Sequence, residues 1–129
     1  PVDQAIVDDR VMRMVAVLDG AADERCRCAG DYDTCRLELQ GDWDARGEAC
    51  MGDAVRLDAA GFSSALECLE QNLPTFVSCH AAYTCPFATE RNACMDEWKS
   101  QGSSCLAQMN GVAQSTLTTC RAITPDAGP

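Results

Sequence analysis

Ten cysteines in a chain of 129 residues constrain this protein more than any other sequence feature. They make up about 8% of the chain, close to the level typical of small domains that are stabilised by disulfides. Disulfides persist in oxidising compartments, so the composition predicts an extracellular or periplasmic protein with about five disulfides. Spacing leaves the pairing open among Cys26, Cys28, Cys35, Cys50, Cys68, Cys79, Cys85, Cys94, Cys105 and Cys120.

Metal binding is the alternative role for these cysteines. Zinc sites usually contain paired C-x2-C motifs, and the sequence has none. His80, beside Cys79, is the single histidine. Because helical spacing can place many thiolates on inward faces, a reduced bundle that stores metal on thiolates stays as a minor hypothesis.

Apolar residues recur at helical spacing in four segments, at about 3–19, 34–51, 64–73 and 89–123. Breaks are expected at Gly41 or Gly47 in the second segment, and at Gly102 and the Asn110-Gly111 pair in the fourth. Strand patterns are nearly absent. The sequence therefore predicts an all-α fold, a small disulfide-stapled bundle of about four to five helices. We expect one domain over 1–123 and a flexible C-terminal tail over 124–129.

Two of these helices have well-marked faces and ends. The first is expected to bury Met12, Met14 and other apolar residues and to stop at Gly20. The third is expected to end before Pro74. The predicted apolar faces contain Val7, Val11, Met14 and Leu18 in the first helix, and Phe62, Leu66, Leu69 and Leu73 in the third.

A partial duplication is a further hypothesis. The segment 28–35 resembles 79–85, and each is followed by an Ala-Cys-Met triplet and then by a Cys-Leu pair. The intervals differ by several residues. A duplication would make the domain two weakly related helical units that pack together.

The formal net charge of −10 limits the partners of the chain. Binding to nucleic acid is not expected, because its affinity comes largely from neutralising phosphates, and the basic residues here form no cluster. No apolar run is long enough to span a membrane, so membrane insertion is not expected either. A basic partner or a divalent cation agrees with this charge. The expected partner is an unidentified protein, and self-assembly stays open.

One acidic stretch, 42–53, resembles a calcium-binding loop. Asp42 and Asp44 occupy its first and third positions, Gly47 the sixth and Asp53 the twelfth. Arg46 stands at the fifth position, where an oxygen ligand belongs. Calcium bound by Asp42, Asp44 and Asp53 is therefore a weak hypothesis beside a plain solvated turn.

No catalytic constellation stands out in the sequence. His80 has only Cys79 as a neighbouring nucleophile, and that cysteine is expected to be half of a disulfide. The leading prediction is a non-enzymatic secreted or periplasmic interaction or structural module with a rigid, disulfide-held surface. A protein that binds a small ligand or calcium is the alternative, and no cofactor is expected otherwise.

Overall fold

The structure, a computed structural model, describes residues 2–40 and 45–122, which form six helices and no strand. The helices are α1 (Gln4–Cys26), α2 (Tyr32–Gln40), α3 (Ala45–Leu57), α4 (Ala59–Ala81), α5 (Ala88–Leu106) and α6 (Gly111–Ala122). The all-α prediction is confirmed, and the number of helices exceeds the expected four to five. The tail predicted for 124–129 lies outside the described residues.

All ten cysteines are paired in disulfides. The Cα atoms of each pair lie 5.3–5.8 Å apart, within the usual range. Five disulfides in a protein of this size suggest an oxidising environment. The pairs are Cys26–Cys35, Cys28–Cys85, Cys50–Cys120, Cys68–Cys105 and Cys79–Cys94.

The bundle is built around α4. Helix α1 runs parallel to α4, as two contacts show: Arg10 in its first half donates to Ser63 near the start of α4, and Glu24 near its end bonds His80 near the end of α4. Helix α5 runs antiparallel to α4 and is tied to it by Cys68–Cys105 and Cys79–Cys94. Helices α3 and α6 pack against each other. The core includes Val7, Met14, Val17, Met51, Ala54, Val55, Phe62, Ala65, Leu66, Leu69, Met109, Ala113 and Leu117.

Helix α1 does not stop at Gly20 but continues to Cys26. A Cβ atom at position 20 would lie 3.0 Å from Leu73 Cδ2, so this glycine permits a close approach of α1 to α4. Met14 is buried as predicted, whereas Met12 is 71% exposed. The assignment of Met12 to packing is therefore wrong, because its position on α1 faces away from α4.

Helix α4 is longer at both ends than the predicted segment 64–73. It begins after Asp58, whose carboxylate accepts a hydrogen bond from the Gly61 backbone N–H at 2.9 Å. It also continues through Pro74 to Ala81. Two disulfides to α5, at Cys68 and Cys79, flank the proline and hold the helix on both sides of the missing hydrogen bond.

The break expected at Asn110-Gly111 is present, between α5 and α6, but Gly102 lies inside α5. The second predicted segment is divided into α2 and α3, and residues 41–44 between them lie outside the described residues. The disulfide pattern does not repeat between the two similar segments. Cys28 pairs with Cys85, but Cys79 pairs with Cys94 rather than Cys35. The pairing thus gives the duplication hypothesis no support.

Candidate functional site

A groove of about 840 Å³ separates α1 from α5. Leu69 of α4 contributes to its floor, and Leu39 of α2 adds to the α1 side. Residues from α6 and from the turn before it close one end. The remaining lining residues are Met14, Leu18, Asp19, Ala21, Ala22, Arg25, Met95, Trp98, Lys99, Gly102, Ser103, Leu106, Met109, Gln114, Leu117 and Thr118.

The end of the groove next to α6 is apolar. Met14, Leu69, Met109 and Leu117 are buried members of the hydrophobic core, and each presents part of its surface to the groove. Gln114 nearby uses its amide to donate a hydrogen bond to the Met109 carbonyl oxygen at 2.7 Å. This end therefore suits an aliphatic or aromatic group.

The rim of the groove carries two cations and one carboxylate. Asp19, the acidic residue of the described lining, lies 3.6 Å from Arg36 Nη2, so its charge has a partner. The exposed side chains of Arg25 and Lys99 have no hydrogen-bond or ion-pair partner among the residues that the structure describes. Lys99 is also the single lysine of the chain. Two cations against one carboxylate give the described lining a positive net charge, although the net charge of the whole chain is −10.

Trp98 connects the groove to the interior. Its indole stacks on Phe76, with ring centroids 5.5 Å apart, and Phe76 in turn contacts the His80 imidazole at 5.2 Å. Phe76 belongs to a small second core cluster with Ala21 and Cys94. A ligand in the groove would therefore alter the surroundings of an indole that is held in place.

A buried cluster of charges lies behind this wall, at the end where α1 and α4 finish. Glu24 is 8% exposed and His80 5%. His80 Nδ1 lies 2.7 Å from Glu24 Oε1, and Arg27 Nε donates to the same oxygen at 3.0 Å. Burial disfavours the carboxylate, but these hydrogen bonds and the neighbouring charges outweigh it and lower the pKa of Glu24 below its usual range.

Two arginines satisfy the carbonyl groups at the end of α4. Arg91 donates to the carbonyl oxygens of His80 at 3.1 Å and Tyr83 at 3.0 Å, and Arg27 donates to the His80 oxygen at 3.0 Å. Cations at a helix C-terminus also interact favourably with the helix dipole. Burial lowers the pKa of Arg91 from its ordinary value. Each charged side chain of the cluster therefore has hydrogen-bond partners that give it a structural role.

The calcium hypothesis falls largely on residues that the structure does not describe. Asp42 and Asp44 lie outside the described residues. Asp53 is an exposed residue of α3 and pairs with Arg56 at 3.2 Å. The backbone of 45–53 is helical, unlike the loop that wraps around calcium in an EF-hand. Calcium binding that depends on Asp42 and Asp44 stays a prediction, for calorimetry to test.

The thiolate hypothesis meets a clearer obstacle. With all ten sulfur atoms in disulfides, this oxidised form has no thiolate to offer a metal ion. Among the described residues, no three histidine, cysteine or acidic side chains are grouped closely enough to hold a metal.

Comparison with protein-family models, curated proteins and solved structures finds no match to this chain. Within the described ranges, no helix combines the length and apolarity needed to cross a bilayer. The groove is therefore the main guide to function.

The sequence predictions did not find the groove. Its α5 wall repeats at helical spacing through Met95, Trp98, Gly102 and Leu106, a signal that is present in the sequence. The sequence prediction for this helix rests instead on its cysteines, which form a neighbouring stripe. Lys99 is the single lysine of the chain, but nothing local in the sequence shows that it lines the same groove as Arg25.

Proposed function

We propose that this chain is a non-enzymatic binding module of the extracellular space or the periplasm, and that it binds its ligand in the groove between α1 and α5. The observation that carries the proposal is the combination of an apolar floor with cations on the rim. Ligand sites in proteins commonly combine an apolar lining with a few polar groups that orient the ligand.

The disulfides support a groove that exists before the ligand arrives. Cys68–Cys105 and Cys79–Cys94 hold α5 against α4. At the end of α1, Cys26 is bonded to α2 and Cys28 to the loop before α5. Because both walls are cross-linked to their neighbours, little ordering is required on binding, which favours affinity.

Binding without catalysis agrees with the surroundings of the single histidine. His80 is buried between Glu24 and Phe76, and its neighbour Cys79 is half of a disulfide. An imidazole that acts as a general base must reach the proton that it removes. The groove itself is lined by Ser103 and Thr118, with no histidine in its described lining.

The test is an NMR titration of the isotopically labelled, oxidised protein with neutral aliphatic and aromatic fragments. We expect chemical shift changes that cluster on groove residues such as Trp98, Leu106 and Leu117. Gly102→Phe should abolish them, because this position lines the groove and a Cβ there meets only Leu69, at 3.8 Å. Gly102→Ala is the matched control and should bind as the parent does. Shift changes spread over the surface, or unaffected by Gly102→Phe, would contradict the proposal.

A further inference from the structure

We infer that the groove between α1 and α5 binds a single-chain amphiphile with an anionic head group, of the class of long-chain carboxylates. The inference deepens the proposed function and rests on it, because it names the chemistry of the ligand for the same groove. Three observations carry it: the apolar end, the two cations without partners and the charge of the whole chain.

The apolar end suits an aliphatic chain. Gln114 and Thr118 are polar residues of α6 at this end, and no charged side chain lies there in the described part. The apolar side chains come from four helices and the turn between α5 and α6: Met14, Leu69, Leu106, Met109 and Leu117. Methionine and leucine side chains adapt to a flexible chain, and each methylene group that leaves water contributes about 0.8 kcal/mol. From Met14 to Arg25 the wall formed by α1 is roughly 16 Å long, at about 1.5 Å per residue.

The contacts along α4 place the cations away from that end. Arg25 is near the end of α1, at the level of the Cys79–Cys94 disulfide. Lys99 lies on α5 between Cys94 and Gly102, and Gly102 faces Leu69 in the apolar half. The groove therefore changes along its length from an apolar end beside α6 to a middle and far end with positive charge. An amphiphile changes in the same way along its length, from an apolar chain to a charged head group.

The sign of the head group follows from the charges. Asp19 lies 3.6 Å from Arg36, which also lies 3.8 Å from Asp23, so the guanidinium offsets part of the negative charge of Asp19. Arg25 and Lys99 lack partners within the described part of the chain, and both can donate charge-assisted hydrogen bonds to an oxyanion. In a chain of net charge −10, a surface lined by an excess of cations is unusual. These side chains would repel a cationic head group, and a neutral head group could accept a hydrogen bond but would leave their charge unneutralised.

The test is calorimetric titration of the oxidised protein with laurate, lauryl alcohol and dodecyltrimethylammonium, each below its micelle concentration. These probes share one chain and differ in head group. We expect laurate to bind with a stoichiometry of one and about a hundredfold more tightly than the alcohol, because Arg25 and Lys99 each contribute a charge-assisted hydrogen bond worth about tenfold. The cation should bind most weakly. Equal affinity for laurate and the alcohol would overturn the inference.

Matched substitutions locate the head group. Lys99→Met and Arg25→Met should each weaken laurate binding about tenfold and leave lauryl alcohol unchanged. Both side chains are exposed, so neither change should affect folding. Arg56→Met removes one positive charge outside the groove and serves as the control for net charge. Lys99→Arg should restore binding. Equal losses in Lys99→Met and Arg56→Met would contradict the inference.

The fluorescence of Trp98 reports independently where the alkyl chain of laurate lies. In a Trp43→Phe background, Trp98 is the single indole, and laurate should shift its fluorescence. Gly102→Phe should remove that response. If laurate below its micelle concentration causes no saturable change in the Trp98 fluorescence, the inference is overturned. If neutral fragments still occupy the groove in that case, the proposed function survives, and if nothing binds there, both fail.

Discussion

Asp58 holds two parts of the chain together with one carboxylate. Its Oδ1 accepts from the Gly61 N–H at 2.9 Å and caps α4, and its Oδ2 accepts from the Asn110 N–H at 2.7 Å in the turn before α6. Asp58→Ala should lower the free energy of unfolding by roughly 2 kcal/mol, since one cap is lost and a second backbone donor loses its acceptor.

Urea unfolding under oxidising conditions measures this loss. Asp3→Ala is the matched control, because Asp3 caps only the exposed start of α1. The loss in Asp3→Ala should be the smaller one. Equal losses in the two variants would mean that the bond to Asn110 adds no stability.

Glu24 makes the free energy of unfolding of the protein depend on pH in the acidic range. Its pKa is lower in the folded chain than in the unfolded chain, so the unfolded chain binds more protons as the pH falls. The contribution of the carboxylate is complete above its unfolded pKa, at about pH 4.3, and is lost as the pH drops through the lower folded-state pKa. Glu24→Gln should therefore cost about 2 kcal/mol at neutral pH and progressively less below pH 4.

Unfolding curves at several pH values test this dependence. Glu97→Gln is the control, because Glu97 is exposed and, among the described residues, its side chain bonds only Gln101 on its own helix. Its difference from the parent should stay small at every pH. A constant difference for Glu24→Gln from neutral to acidic pH would show that the charge of Glu24 is not what stabilises the cluster.

Individual helices differ in how they tolerate a methyl group at glycine. At Gly102 a Cβ has only an ordinary contact, 3.8 Å from Leu69, so Gly102→Ala should stabilise α5 by up to about 1 kcal/mol. At Gly20 the same group would lie 3.0 Å from Leu73 Cδ2. Gly20→Ala should therefore gain less or destabilise the protein. Thermal unfolding of both variants gives the comparison, and equal gains would contradict the close contact of α1 and α4.

The sequence predicts the apolar faces of the helices better than it predicts where the helices end. Helical periodicity reports the apolar face correctly, as at Phe62, Leu66 and Leu69, because burial follows local spacing. It failed at Gly20 and Pro74, because residues distant in the chain decide whether a helix continues there. The groove depends on the same long-range packing. Its two walls, α1 and α5, are brought together by their packing on α4, so their spacing in the sequence does not reveal the site.

At the scale of the whole molecule, the disulfides are unequal. Cys50–Cys120 joins α3 to α6 across 70 residues, whereas Cys26–Cys35 closes 9. In the chain-entropy model, Cys50–Cys120 stabilises the folded protein by about 4 kcal/mol and Cys26–Cys35 by about 2.5 kcal/mol. The double variant Cys50→Ala/Cys120→Ala should therefore lose more stability than Cys26→Ala/Cys35→Ala.

Urea unfolding without reductant makes this comparison. The other cross-links already restrict the unfolded chain, so the order of the two losses is the test rather than their size. The reverse order would mean that α3 and α6 stay together by packing alone.

The same connections decide how the molecule would respond to tension between its two ends. The shortest covalent route runs along α1 to Cys26, crosses to Cys35, continues to Cys50 and crosses again to Cys120. Roughly 50 residues lie on this route, about 180 Å when extended, out of 129 in the chain. Helices α4 and α5 lie outside it. A pulling force would unfold α1 and separate it from α4. The α4–α5 pair would bear no tension, because it lies within a covalent loop outside the route.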